Sequence, residues 1–208
     1  MTRHGAIRTL LGITTAVTIS VTGGAPVGAN APLAIDSARV TISGTSNIHA
    51  YTASTSTVRV RTAELAGGAN ITEMWASALT PGGFESFEVS IPAATLTSTR
   101  DGLDVNMHKA LQVTEHPDII FRLLRFEPRT GGAGSLRAIG VLKVAGAVRE
   151  VALDITTERT RGTLSVRGQV QLLMTDFGIA PPVAMLGMLK TDPKVTIAFE
   201  TVLSVPQT

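Results

Sequence analysis

One helical stretch set inside a long series of strand-like runs constrains this chain more than any other feature. After Arg100, the apolar residues Leu103, Met107, Ala110 and Leu111 recur at helical spacing until His116-Pro117 stops the helix, and a strand follows from Asp118 to Phe126. The rest of the chain beyond its N-terminal segment reads as half-buried strands between turn residues. A sheet that rolls up leaves an open end, and a single amphipathic helix is the natural cover for it.

Eight candidate strands frame that helix. Val40 to Ile42 leads into Ser43-Gly44-Thr45, Val58 and Val60 alternate with arginines, and Phe87, Val89 and Ile91 alternate with polar residues before Pro92. After the helix come Ile119 to Phe126, Leu136 to Val144, Val148 to Thr156, Leu164 to Met174 and Val195 to Leu203. Ala145-Gly146-Ala147 is short enough for a hairpin turn. A sandwich and a barrel both fit this inventory. Long strands carrying internal glycines, Gly140 and Gly168, favour the barrel, because long strands must coil and glycine lets them bend without a clash. The expected fold is therefore all-β with one helix: an eight-stranded antiparallel barrel with the helix covering one end.

The N terminus has another job. Arg3 and Arg8 precede an uncharged stretch from Thr9 to Val21, and a small-residue tail follows to Ala31. That is the pattern of a secretory signal, and the apolar run is too short and too rich in Thr and Ser to span a bilayer comfortably. Residues 1–31 are expected to be a cleaved signal peptide and residues 32–208 one domain, periplasmic or secreted, with no stable membrane insertion after processing. The sequence holds no cysteine, so neither a disulfide framework nor a lipoprotein anchor is available. Arg3 and Arg8 also account for the whole net charge of +2. Nothing basic clusters in the remainder, which argues against nucleic acid as a partner.

A barrel of eight strands is either filled by side chains or holds one ligand. The candidate ligand-binding residues on inward strand positions are Val40, Ile42, Val89, Ile119, Phe121, Leu142, Leu153, Val170, Leu172, Met174 and Phe199. The helix adds Met107, His108 and Leu111. Such a lining can leave a dry apolar channel, although the same residues fill ordinary packed cores. Pro181 opens a methionine-rich stretch with Met185 and Met188, which reads either as an adaptable apolar flap or as a short helix plugging the core. Trp75 and Tyr51 are expected near the entrance.

The histidines divide by context. His108 could meet a polar head group from the helix, or be bonded locally; His49 stands in a polar strand end; His116, before a proline, ends the helix. His108 and His116 match no metal-ligand spacing, so no metal is expected. Asp101 and Asp104 suit the positive end of the helix dipole. Asp176-Phe177-Gly178 is turn chemistry without the rest of a kinase signature. No serine elbow, zinc signature or cysteine marks an enzyme, and no catalytic residue is assigned.

Several segments in order resemble the YceI-like family of exported lipid-binding proteins. They are Ser43 to His49, Ile91 to Ser98, Asp104 to Leu111, Glu115 to Phe121, Gly140 to Gly146, and Met174 to Ile179 with Pro181-Pro182. Arg100-Asp101 departs from the Arg-Asp-x-His-Leu segment of the commoner branch, and Ala50-Tyr51 from an aromatic that often follows the first histidine. The resemblance implies a lipocalin-like barrel that binds, stores or transports a long apolar lipid, an isoprenoid or isoprenoid quinone, as its only bound molecule and without a cofactor. Two alternatives stay open at this point: an envelope stress protein with a solid barrel, and a His-dependent envelope enzyme. Assembly is also open, a homodimer included.

Overall fold

The computed structural model describes residues 33–65, 70–160, 162–184 and 188–205. The expected signal segment and Met185 lie outside them. Ten strands and two α-helices follow in the order β1 (Ala34–Ser46), β2 (Ala50–Thr55), β3 (Arg59–Leu65), α1 (Ile71–Ala78), β4 (Phe84–Pro92), α2 (Asp101–Ala110), β5 (Asp118–Pro128), β6 (Ser135–Val144), β7 (Ala147–Thr160), β8 (Thr163–Leu173), β9 (Val183–Ala184) and β10 (Leu189–Ser204).

Nine strands form one curled antiparallel sheet in the order β2-β1-β10-β8-β7-β6-β5-β4-β3, with β9 paired to β10 outside that path. The expectation of an all-β barrel with a covering helix holds in class, and its count is corrected from eight strands to ten and from one helix to two. The extra strand β2, Ala-Tyr-Thr-Ala-Ser-Thr, lacks the large apolar alternation of its neighbours; β1 recruits it across a tight hairpin with Ile42 opposite Ala53. The extra helix α1 is two turns long and is capped by Asn70, whose side chain accepts from the Glu73 amide at 3.0 Å.

The sheet rolls but is not laced shut by a ladder. Its two edges, β2 and β3, are consecutive in sequence and joined only by residues 56–58, and no ladder pairs them among the described residues. The free edge of β2 is covered instead by an isolated bridge, Ser54 with Thr97, whose two backbone hydrogen bonds measure 2.8 and 3.1 Å. Thr55 and Thr95 hydroxyls meet beside it at 2.7 Å. The segment leading into α2 thus covers part of the seam.

Turns and close approaches explain the glycines that matter. The β6–β7 turn places Ala145 at φ 46° and Gly146 at φ 79°, the paired left-handed conformation that suits the twist of a hairpin. Gly146 also lies under the His116 ring, which a Cβ there would meet at 2.5 Å. Gly140 and Gly168, expected as bending points, also seat aromatic rings: Cβ atoms built on them would fall 2.4 Å from Phe121 and 2.8 Å from Phe199.

Dense packing is concentrated at one end. Trp75, Leu65, Met74, Leu96 and Leu164 are the largest fully buried side chains, and all but Leu96 belong with Ala78, Leu33 and Leu203 in the cluster that α1 presses onto the roll. The Trp75 indole donates to the Gly162 carbonyl at 3.1 Å. Trp75 therefore plugs the closed end, a correction to its expected place at the entrance; its ring sits there because α1 turns Met74, Trp75 and Ala78 inward. Among the expected inward strand residues only Val40 is fully buried. Ile42, Val89, Ile119, Phe121, Leu142, Val170, Leu172 and Phe199 are half-buried, because their inward faces border empty space.

Candidate functional site

Two cavities follow each other along the axis of the roll. The deeper one has a volume of about 190 Å³ and the one at the mouth about 460 Å³, the latter within the roughly 300–1,000 Å³ of ordinary ligand pockets. Val40, Ile91, Leu142, Leu172 and Ile197 border both and form a waist between them.

The period-2 alternation of the long strands makes the deeper cavity apolar, since it turns one residue in two toward the axis. Val89, Phe121, Leu153, Val170 and Phe199 line it, as do Val40, Leu142 and Leu172 from the waist. Thr201 is the one lining residue with a polar side chain. Its floor is made by Leu79, Phe84 and Phe126, with the Phe84 ring 5.1 Å from Phe87 and 6.1 Å from Phe126.

The mouth cavity receives Ile42, Ile119 and Met174 from the strands and the turn after β8, and Leu103, Met107, Ala110 and Leu111 from α2. The helical period thus turns one face of α2 onto the opening. No residue of α2 itself is fully buried; Leu111 at its C-terminal cap is. The helix is a cover over a space, packed on one side only.

Three polar contacts hold that cover. The His108 imidazole donates through Nε2 to the Leu96 carbonyl at 2.8 Å, so His108 lines neither cavity. Its assignment as a ligand-binding residue is corrected: it faces back along the helix to the preceding turn. Asp104 accepts from the Ser98 amide at 2.8 Å, pinning the incoming chain. Arg100 Nη1 donates to His49 Nε2, tying the start of α2 to the β1–β2 hairpin. That hairpin is in turn fixed by Asn47, which donates to the Met188 carbonyl and accepts from the Lys190 amide, both at 2.8 Å.

The polar groups at the mouth are few and converge. Ser46, His49, Tyr51, Arg100, Asn106 and Thr191 share the rim of the cavity. Tyr51 lies across Gly44 on the paired strand; a Cβ at Gly44 would fall 2.3 Å from its hydroxyl oxygen. Burial, and next the charge of Asp192, push the Tyr51 phenol above its ordinary pKa of 10.0, so the rim presents a neutral hydroxyl. Leu96, Arg100, Asn106, Ile179 and Pro182 were not foreseen as lining residues. The Ser98-to-Arg100 segment before a helix start is the signal that could have found Arg100, since residues flanking a covering helix face what it covers.

The other candidates fall elsewhere. Met188 stands exposed and borders neither cavity; its assignment as a lining residue is corrected, because its carbonyl is held by Asn47 on the outside of the rim. Among the described residues no group of three or more His, Asp or Glu could hold a metal ion, and no helix is long and apolar enough to cross a membrane.

Comparison with known proteins gives a consistent family. The family model for the YceI-like domain matches residues 34–203, and no curated protein matches. Among solved structures the chain is similar to BcnA of Burkholderia cenocepacia, at 13% identity over 79% of this chain and 95% of that one, with a TM-score of 0.63. It is similar to a polyisoprenoid binding domain from Saccharophagus degradans implicated in plant cell wall breakdown, at 10% identity over 84% and 98%, TM-score 0.62. The Campylobacter jejuni YceI protein matches at 12% identity over 96% and 94%, TM-score 0.54. At such identities the likeness is one of fold.

Proposed function

This chain belongs to the YceI-like family, and from that premise we propose that it binds a long apolar lipid of the isoprenoid or isoprenoid quinone type along the axis of its rolled sheet, for storage or transport outside the cytoplasm. The observation that carries the reading is the lining of the inner cavity, which is hydrocarbon except for Thr201. An apolar tail gains about 0.8 kcal/mol for each methylene it buries, so one five-carbon isoprene unit contributes roughly 3–4 kcal/mol before ordering is subtracted. No reaction chemistry is needed for such binding. A polar end group would rest at the mouth, within reach of Arg100, His49, Tyr51 and Asn106. The Saccharophagus degradans relative, named as a polyisoprenoid binding domain, supports the ligand class. Export rests on the N-terminal signal pattern.

The test is mass spectrometry of protein purified without detergent from two unrelated hosts, first under native conditions and then after organic extraction. A stoichiometric lipid with a long unbranched or isoprenoid tail is the expected result. A ligand-free mass in both hosts, together with failure to take up added polyprenol, would sink the reading.

A further inference from the structure

The exposed apolar side chains of this protein are not scattered. Ile48 at the β1–β2 tip, Val105 on α2, Val148 beside the β6–β7 turn, Leu173 at the end of β8, Val183 and Met188 stand between 39% and 67% exposed. All six belong to elements that end at the mouth. Of the large apolar side chains exposed among the described residues, only Leu124 lies elsewhere. Leu173 also lines the mouth cavity, so on the β8 side the exposed apolar residues meet the inner lining.

The lysines follow the same geography. The chain has arginines throughout, but its lysines are Lys109, Lys143, Lys190 and Lys194, all of them exposed and all on the elements that surround the opening. A lysine buries its aliphatic stem and keeps its ammonium in the polar layer, the posture suited to a lipid headgroup zone. Acids share this end: Asp104 and Asp192 are taken up with the Ser98 and Lys194 amides, while Asp101, Glu150 and Asp176 stand exposed. The face is thus mixed in charge, and apolar burial is its driving interaction.

We propose that the mouth end docks transiently on the surface of a lipid bilayer, the apolar rim entering the interface and the lysines resting among the headgroups, so that a tail passes between bilayer and tube without crossing water. The proposal rests on the lipid-binding reading for its purpose, but its geometry is separate. Exposed apolar side chains gathered at one end of a molecule rather than scattered singly mark an interaction site. Their place around the opening of a tube lined by hydrocarbon, with all four lysines beside them, selects a bilayer over a folded protein as the partner.

The experiment is vesicle flotation of the protein beginning at Pro32, which contains the whole described fold and lacks the apolar N-terminal segment. Vesicles of equal parts phosphatidylethanolamine and phosphatidylglycerol serve as the probe. The triple variant Ile48→Ser, Val105→Ser, Met188→Ser is compared with Leu124→Ser as control. The wild type and the control should float with vesicles, and the triple variant should lose at least about tenfold in partition, with an unchanged circular dichroism melt. Equal flotation of all three proteins, or none by the wild type, overturns the proposal. A wild-type dimer that the triple variant dissolves, with vesicle binding unchanged, would assign the rim to a second copy and equally overturn it. If the triple variant loses flotation while no preparation carries or takes up a lipid, docking stands and the lipid-carrier reading falls.

Discussion

Replacing Gly168 with alanine probes how tightly the roll is built around its rings. Gly168 faces Ile155 on β7 and Phe199 on β10. A Cβ there would fall 2.7 Å from the Asp154 carbonyl oxygen, 2.8 Å from the Phe199 ring and 3.1 Å from Ile155 Cγ2. The ring can swing toward the cavity it lines. The carbonyl is part of the β7 backbone and retreats only by stretching the β7–β8 ladder. Overpacking of this kind typically costs about 1–3 kcal/mol. Against it stands a gain of about 0.4–1 kcal/mol from the stiffer unfolded chain. Taking the middle of each range, the net loss is roughly 1.3 kcal/mol, which for a domain of this length lowers Tm by about 3–5 °C. Circular dichroism melts of wild type and variant read it directly. Repeating the change in a Phe199→Leu background separates the obstacles: the loss shrinks if the ring is the barrier and persists if the carbonyl is. A variant as stable as the wild type, or more so, refutes the close approach.

Three further outcomes are expected. Tyr51 is the single tyrosine, so its phenolate absorbance isolates one group. Because the folded protein raises its pKa above 10.0, chiefly by burial, the stability it contributes is complete below that pH and is lost as pH rises through the folded value; a native midpoint at or below that of the urea-unfolded chain would contradict this. His108→Ala removes the bond to the Leu96 carbonyl and should lower stability by about 0.5–1.5 kcal/mol in urea titrations while a bound lipid leaves faster; unchanged release would show that this contact does not hold the cover. Trp75→Phe should cost less than Trp75→Ala, the latter about 3–5 kcal/mol, because it keeps most of the packing and gives up the bond to Gly162; equal losses would mean that the hydrogen bond dominates.

The fold was legible where period and length spoke together. The run from Leu164 to Met174 alternates cleanly, and β8 occupies Thr163–Leu173; the helix period at Leu103, Met107, Ala110 and Leu111 lies within or just beyond α2. β2 was not legible, because an edge strand of small residues is held by its neighbour rather than by its own burial. α1 escaped for a different reason. Eight residues carry too little periodicity to stand out, although Asn70 with Glu73 three residues on is the spacing of a capping box. For the site, inward strand positions could be read from alternation alone. His108 and Met188 could not, since their orientation is decided by the Leu96 carbonyl and by Asn47, groups distant in sequence. Nor could alternation reveal that Gly140 and Gly168 also seat the Phe121 and Phe199 rings.

The unlaced edge between β2 and β3 leaves the girth of the roll unset by hydrogen bonds at that seam. A fully hydrogen-bonded barrel has its circumference dictated by strand number and stagger, and widening it means breaking a ladder. Here β2 is fastened to the segment before α2 by the Ser54–Thr97 bridge and by a pair of threonine hydroxyls, and among the described residues no continuous row of hydrogen bonds closes the circumference. A lipid bound as proposed would then meet a wall that widens without breaking a ladder.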